Sequence, residues 1–203
     1  MRLFLYGAAC YLSSTLTAKA QGGLFGPEER DGTYTLVGSP QVRHVGKLMV
    51  SPTVLIAKDS EGKKTKWHPD QVARLTIEHQ RYTTARGFSV KKGILKVTER
   101  KPVFVELLDS GRVSLMRYTY VAGGPGMQEE STVYLMRDAA QPNSVALPVR
   151  RFSSNEDYFQ GLANLLGPYA AQRPDLLKLL NQDKIEEQLL QRFVHALNTN
   201  SYF

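Results

Sequence analysis

The sequence predicts a mainly β protein with α structure: an antiparallel β-sandwich or barrel-like sheet followed by a short C-terminal helical segment. Three observations carry this expectation. From residue 33 to 149 the chain is a series of short runs rich in Val, Ile, Thr, Tyr and Phe, punctuated by Gly, Pro and Asp. Several runs are apolar on both faces, as in a sandwich core or a closed barrel. After residue 150 the apolar spacing changes to that of amphipathic helices.

The elements are expected in the following order. Residues 1–20, MRLFLYGAACYLSSTLTAKA, have the form of a secretory signal peptide. Arg2 is the basic start, an apolar stretch follows, and Ala18-Lys19-Ala20 is a small-x-small cleavage site before Gln21. A spanning helix needs about 20 apolar residues, whereas this stretch is shorter and carries Ser13, Ser14, Thr15 and Thr17. Cys10 lacks the branched residue three positions upstream that lipoprotein processing uses, and only nine residues precede it. Cleavage after Ala20 leaves a mature chain without cysteine, so disulfides do not enter its stability. Residues 21–32, QGGLFGPEERDG, form a flexible leader.

A β-rich domain is expected over 33–150. Strands are placed at 33–37, 45–50, 53–58, 64–67, 72–77 and 81–86, with turns at Ser51-Pro52 and at Asp59-Ser60-Glu61-Gly62. The segment His68-Pro69-Asp70-Gln71 breaks the pattern. A second hairpin joins 103–108 to 113–121 through Asp109-Ser110-Gly111-Arg112. Gly123-Gly124-Pro125-Gly126 reads as a mobile loop before a strand at 131–136, and 145–149 is the last strand.

The helical segment covers 151–203. Ser153 or Ser154 caps a first helix that carries Glu156 and Asp157 in its first turn and stops at Gly167-Pro168. Pro174 opens a second helix bearing Leu176, Leu177 and Leu180. The third is expected from Lys184 to Asn198, with Ile185, Leu189, Phe193 and Leu197 on one stripe. These helices are expected to pack on the sheet or beside it.

Charge is unevenly spread. Residues 58–101 hold twelve basic and five acidic side chains, whereas the rest of the mature chain holds twelve basic and fourteen acidic. In an exported protein such a block meets an anionic envelope component or an acidic protein face, not nucleic acid. Lys63, Lys64, Lys66, Trp67, Arg81, Arg86, Lys91 and Lys92 are the candidate binding residues. The competing expectation is that these charges only solvate the wet faces and turns of a sheet. Trp67 is either a stacking surface beside His68 and Asp70 or a core residue.

The arrangement resembles a group of small exported proteins of Gram-negative bacteria. The resemblance rests on Lys66-Trp67-His68-Pro69-Asp70-Gln71-Val72, on Gln80-Arg81-Tyr82, and on Gly111-Arg112-Val113-Ser114-Leu115 with Tyr118. In the tail it rests on Gly167-Pro168-Tyr169 through Pro174-Asp175-Leu176-Leu177. It implies export and a β-rich body with a helical tail. It supplies no activity, substrate or catalytic residue.

No motif with catalytic spacing occurs. There is no GxSxG, no HExxH and no phosphate loop. A metal site would need His44, His68 and His79 to converge with an acid such as Glu78, which the spacing does not demand, and no cofactor or metal is expected. His195, three residues before Asn198, is expected on the solvent side or at the end of the last helix. The sequence therefore points to a non-enzymatic, exported binding or interaction module of the envelope. The alternative is an envelope hydrolase with a site near His68, Asp70 and His79.

Overall fold

The computed structural model describes residues 28–92, 95–122 and 129–203, so the signal-like segment, most of the leader and the Gly123–Gly126 loop lie outside the described residues. Twelve strands form. They are β1 (Arg30–Leu36), β2 (Ser39–Val50), β3 (Leu55–Lys58), β4 (Lys64–Trp67), β5 (Val72–Ile77) and β6 (Gln80–Ala85). Then come β7 (Phe88–Lys92), β8 (Leu95–Glu99), β9 (Val103–Asp109), β10 (Val113–Ala122), β11 (Glu129–Asp138) and β12 (Val145–Ala146). Helices α1 (Asn155–Ala170), α2 (Pro174–Asn181) and α3 (Leu190–Thr199) close the chain. Among the described residues, no helix is long and apolar enough to cross a membrane.

Ten strands make one antiparallel sheet in the order β12-β11-β10-β9-β6-β5-β1-β2-β3-β4, and β7 and β8 make a separate hairpin. The mainly β class with a C-terminal helical segment is thus the fold of this chain. Three apolar clusters hold it. Leu48, Val50, Leu55, Leu75, Ile77, Tyr82 and Phe104 form one cluster on the inner face of the N-terminal strands, and every member comes from the sheet and its links. Among the described residues no helix lies over that face, and the sheet buries these side chains by curling on itself. The Phe104 amide donates to Pro52 carbonyl at 2.8 Å, tying the bend between β2 and β3 to the start of β9.

Local irregularities produce the curl. Register slips between Tyr34 and Leu36 on the β1–β2 ladder, between Thr35 and Leu36 on β1–β5, and between Leu115 and Met116 on β9–β10. Bulges of this kind bend a strand and increase its twist. In the last of them Leu115 pairs with Asp109 and Met116 with Leu107, leaving Leu108 as the extra residue. Leu107 then packs on one face of the sheet and Leu108 on the other. Two facing glycines let strands approach closely: Gly32 pairs with Gly46. A Cβ on Gly32 would lie 2.6 Å from the Thr76 carbonyl oxygen, and one on Gly46 would run into the Lys58 carbonyl.

The other two clusters cover the two faces of the C-terminal strands. Hairpin β7–β8 lays Phe88 and Val90 against Val103, Val105, Tyr118 and Val133. On the opposite face the helices bury Tyr158, Leu162, Leu166, Leu176 and Phe193 against Val113, Leu115 and Met136. Asn198 fixes α3 to the β9–β10 hairpin: its amide donates to Asp109 Oδ1 (2.7 Å) and to Val113 carbonyl, and its carbonyl accepts from Val113 N–H. His195 is more than half exposed, and its Nδ1 lies 2.9 Å from Asp109 Oδ2.

Several elements depart from expectation. No strand was expected between 87 and 102, where β7 and β8 form; Lys91, Lys92 and Lys96 hide an alternation whose apolar side is only Phe88 and Val90. The last strand shortens to two residues because the chain leaves the ladder at Leu147-Pro148, and proline has no N–H to pair. Helix α1 does not stop at Gly167-Pro168 but continues to Ala170. Burial of Leu166 and Ala170, with the Arg112 guanidinium 5.5 Å from the Tyr169 ring, outweighs the breaker. Helix α3 begins only at Leu190, after a 3-10 turn over Glu187–Leu189.

If close backbone approach at Gly46 enables the curl, Gly46→Ala lowers unfolding free energy by about 1–3 kcal/mol. Gly38→Ala, where an added Cβ meets nothing within 4 Å, changes it by less than about 0.5 kcal/mol. Urea titration of both variants measures the difference.

Candidate functional site: the outer face of the sheet

Side chains alternate along a strand, so burial of one set fixes where the other set goes. On β3 and β4, Leu55, Ala57 and Trp67 pack toward the inner cluster. Lys58, Lys64 and Lys66 therefore stand on the outer face. On β5 and β6 the inward residues are Leu75, Ile77 and Tyr82, which places Arg74 and Arg81 outside. Arg43 and Lys47 of β2 join them, since His44 pairs with inward-facing Tyr34 and Leu48 is buried. Seven cationic side chains from five strands thus share one sheet face over which no helix or hairpin packs among the described residues.

Part of that charge is neutralised within the protein. Lys47, Lys58 and Lys64 lie directly opposite one another across β2, β3 and β4. Like charges in that relation destabilise a sheet. Two acids offset them: Asp31 bonds Lys47 at 2.8 Å, and Glu29 bonds Lys64 at 2.9 Å and Lys58 at 3.2 Å. The Lys64 and Lys58 ammonium groups hold the Glu29 carboxyl below its ordinary range.

Arg43, Lys66, Arg74 and Arg81 have no carboxylate partner among the described residues. Two of them flank a shallow groove of about 230 Å³, lined by Thr33, Thr35, Thr76, Arg43 and Arg74. Thr35 pairs with Arg74 and Thr33 with Thr76 across β1 and β5. The Thr35 hydroxyl is shielded from solvent and has no hydrogen-bond partner among the described residues. Two guanidinium groups over a floor of threonine hydroxyls can present forked donors to a carboxylate, sulfate or phosphate.

The residues singled out from sequence separate in space. Lys64, Lys66 and Arg81 lie on this face, and Lys63 sits in the adjoining β3–β4 turn. Trp67 does not share the face: alternation turns it inward, 6.5 Å from the Tyr34 ring, with Nε1 shielded and without a partner. Arg86 lies between β6 and β7, and Lys91 is on the β7–β8 hairpin. Lys92 is on β7, but its side chain lies outside the described residues. Arg43, Lys47 and Thr35 were missed by reading the charge block alone. The available signal was strand register, which brings residues 30 positions apart side by side.

His68 and Asp70 line a different groove of about 750 Å³ with Thr53, Thr98, Arg100 and Lys101. His79 is not among its lining residues and lies in the turn between β5 and β6. His44 stacks on Tyr34 at 4.8 Å, and its Nε2 is shielded without a partner. Among the described residues, no three His, Cys, Asp or Glu side chains gather in a way that could hold a metal ion.

The Glu29 pairing carries a pH signature. Its carboxyl titrates lower in the folded chain than in the unfolded one, so its stabilising effect is complete above the unfolded value and disappears as pH falls through the folded one. Glu29→Gln is expected to lower the unfolding midpoint at pH 7, and the gap to the parent chain is expected to close in acid. Thermal scans from pH 7 to pH 3 test this. Compared with known proteins, the chain matches no family model, no curated protein and no solved structure.

Proposed function

We propose that this chain is an exported, non-enzymatic binding module that holds an anionic component of the bacterial envelope against the outer face of its curled sheet. The observation that carries the reading is the collection of seven cations from five strands on one uncovered face. The Arg43–Thr35–Arg74 groove is its most specific point, because both guanidiniums there have no carboxylate partner among the described residues. Export rests on the signal-like first twenty residues. A broad face of this kind, carrying cations from five strands, suits a repeating anionic polymer or surface, where many modest contacts add up, more than a single small substrate.

The second reading, an envelope hydrolase, draws on the groove that His68 and Asp70 share. An imidazole and a carboxylate at one exposed turn can move a proton. His79, the third member of that set, lies away from the groove, which leaves the reading with less support.

The test uses the chain from Gln21 onward and measures its unfolding midpoint with lipopolysaccharide, peptidoglycan fragments or an acidic glycan. A ligand present at about 100 times its Kd stabilises by about 2.7 kcal/mol, a rise of roughly 5–10 °C for a chain of this size. The rise is expected to fade at high salt and to vanish in the double variant Arg43→Glu/Arg74→Glu. Lys101→Glu, in the other groove, is expected to keep it. No rise with any of the three polymers, or a rise that survives the double charge reversal, refutes the proposed face.

A further inference from the structure

The edge of hairpin β7–β8 does not join the main sheet. Between it and the short strand β12 lies a slot of about 240 Å³. Val90, Tyr120, Val133, Ala146, Leu147 and Val149 supply its apolar lining, and Lys91 and Lys96 also line it. At ~30 Å³ per water molecule the slot equals about eight waters; Ser89, Ser153 and the two lysines are its polar lining, and the larger part of its wall is apolar. The Tyr120 hydroxyl is already spent on the Lys91 carbonyl, at 2.8 Å. Space of this kind takes an alkyl chain more readily than solvent.

The two lysines add the second half of the argument. Lys91 and Lys96 are direct cross-strand partners, both exposed. Like charges in that relation repel. In the other lysine row of the described residues each ammonium is ion-paired, Lys47 to Asp31 and both Lys58 and Lys64 to Glu29. This pair has no carboxylate within ion-pair distance among the described residues. Two unneutralised ammonium groups beside an apolar slot match a ligand with an anionic head and one hydrocarbon tail.

We propose that this slot binds a single-chain anionic amphiphile, with its tail among Val90, Val133, Leu147 and Val149 and its carboxylate or phosphate head between Lys91 and Lys96. The site is separate from Arg43 and Arg74, so the proposal stands or falls independently of the outer basic face.

Titration calorimetry of the chain from Gln21 onward with octanoate and decanoate, both below their micelle concentrations, tests it. One molecule is expected to bind per chain. Burying each added methylene contributes about 0.8 kcal/mol, so affinity is expected to rise about fourfold per carbon until the slot is full. Decanol and acetate, which lack the head or the tail, are expected to bind at least tenfold more weakly than decanoate. Octyl phosphate in place of octanoate distinguishes a phosphate head from a carboxylate at equal tail length. Lys91→Ala/Lys96→Ala is expected to weaken decanoate about tenfold or more without lowering the unfolding midpoint of the free chain, since it removes a repulsive cross-strand pair. Ala146→Phe, at a half-buried lining position, is expected to block the tail. Should Ala146→Phe fail to fold, the lysine variant and the decanol comparison decide the matter. Affinity that is independent of chain length, decanol equal to decanoate, or decanoate binding unchanged in the lysine variant would each overturn the proposal.

Discussion

A sheet of ten strands has two faces to keep from water, and the described residues supply three helices and one separate hairpin to cover them. The helices cover one face of the C-terminal strands and the β7–β8 hairpin covers the other. Among the described residues no helix packs on the N-terminal strands, and they bury their inner face on themselves. That constraint explains the bulges near Leu36 and the paired glycines at 32 and 46, since a flat ladder could not turn tightly enough to shut Leu48, Leu55 and Ile77 away from solvent. It also explains why the opposite face of the same strands is open. The outside of this self-closing sheet has no helix or hairpin packed on it among the described residues, and most of its cationic side chains are exposed there.

The junction between the curled and the helix-covered regions is polar. Cross-strand register lines up Tyr134, Arg117, Glu106 and Tyr82 along one row, from β11 through β10 and β9 to β6. Glu106 is buried, and Arg117 Nε donates to its Oε2 at 2.8 Å. Burial pushes both flanking phenols up from their ordinary range. A buried ion pair is weak evidence for net stability, because desolvation costs about as much as the attraction returns. Its effect here is on register. The bulge at Leu108 sets Glu106 opposite Arg117; a one-residue slip would exchange the faces of every side chain on β9 and leave the carboxylate unpaired.

How much of this was legible in the sequence follows from which signals are local. The turn at Asp59–Gly62 and the Val113 hairpin are set by residues next to one another, and both were readable. The N-cap at Ser154, accepting from the Asp157 amide at 3.1 Å, was readable for the same reason. The bulge was not, because Val-Phe-Val-Glu-Leu-Leu-Asp reads as an unbroken strand whichever leucine is extra. The continuation of α1 past Pro168 depended on packing that no local pattern encodes. Among the candidate binding residues, Lys64, Lys66 and Arg81 were found because charge density is visible along the chain. Arg43 was invisible to that measure: it lies fifteen residues before the block begins, and only strand pairing brings it beside Arg74. Trp67 was drawn in by its neighbours in sequence, although alternation sends it to the opposite side from Lys66.

The two sets of facing lysines show how one rule yields different surfaces. Repulsion across a ladder is the same for Lys47–Lys58–Lys64 as for Lys91–Lys96. In the first set two carboxylates from the start of the described chain close the charge, and the lysines become part of the structure that ties Glu29 across β3 and β4. Only the cations that escape such pairing keep their full field for an external anion, so the formal charge of a patch overstates what it can offer. On the outer face this reasoning shifts attention from the lysine-rich segment itself to Arg43, Arg74 and Arg81. Those three are fewer, but their guanidiniums are weakly hydrated and forked. They also sit over threonine hydroxyls, one of which is already stripped of water and unpaired. Placing a desolvated hydroxyl beside guanidiniums that have no carboxylate partner among the described residues costs stability in the free protein, and under the proposed function an anion that accepts from all of them would relieve that cost on binding.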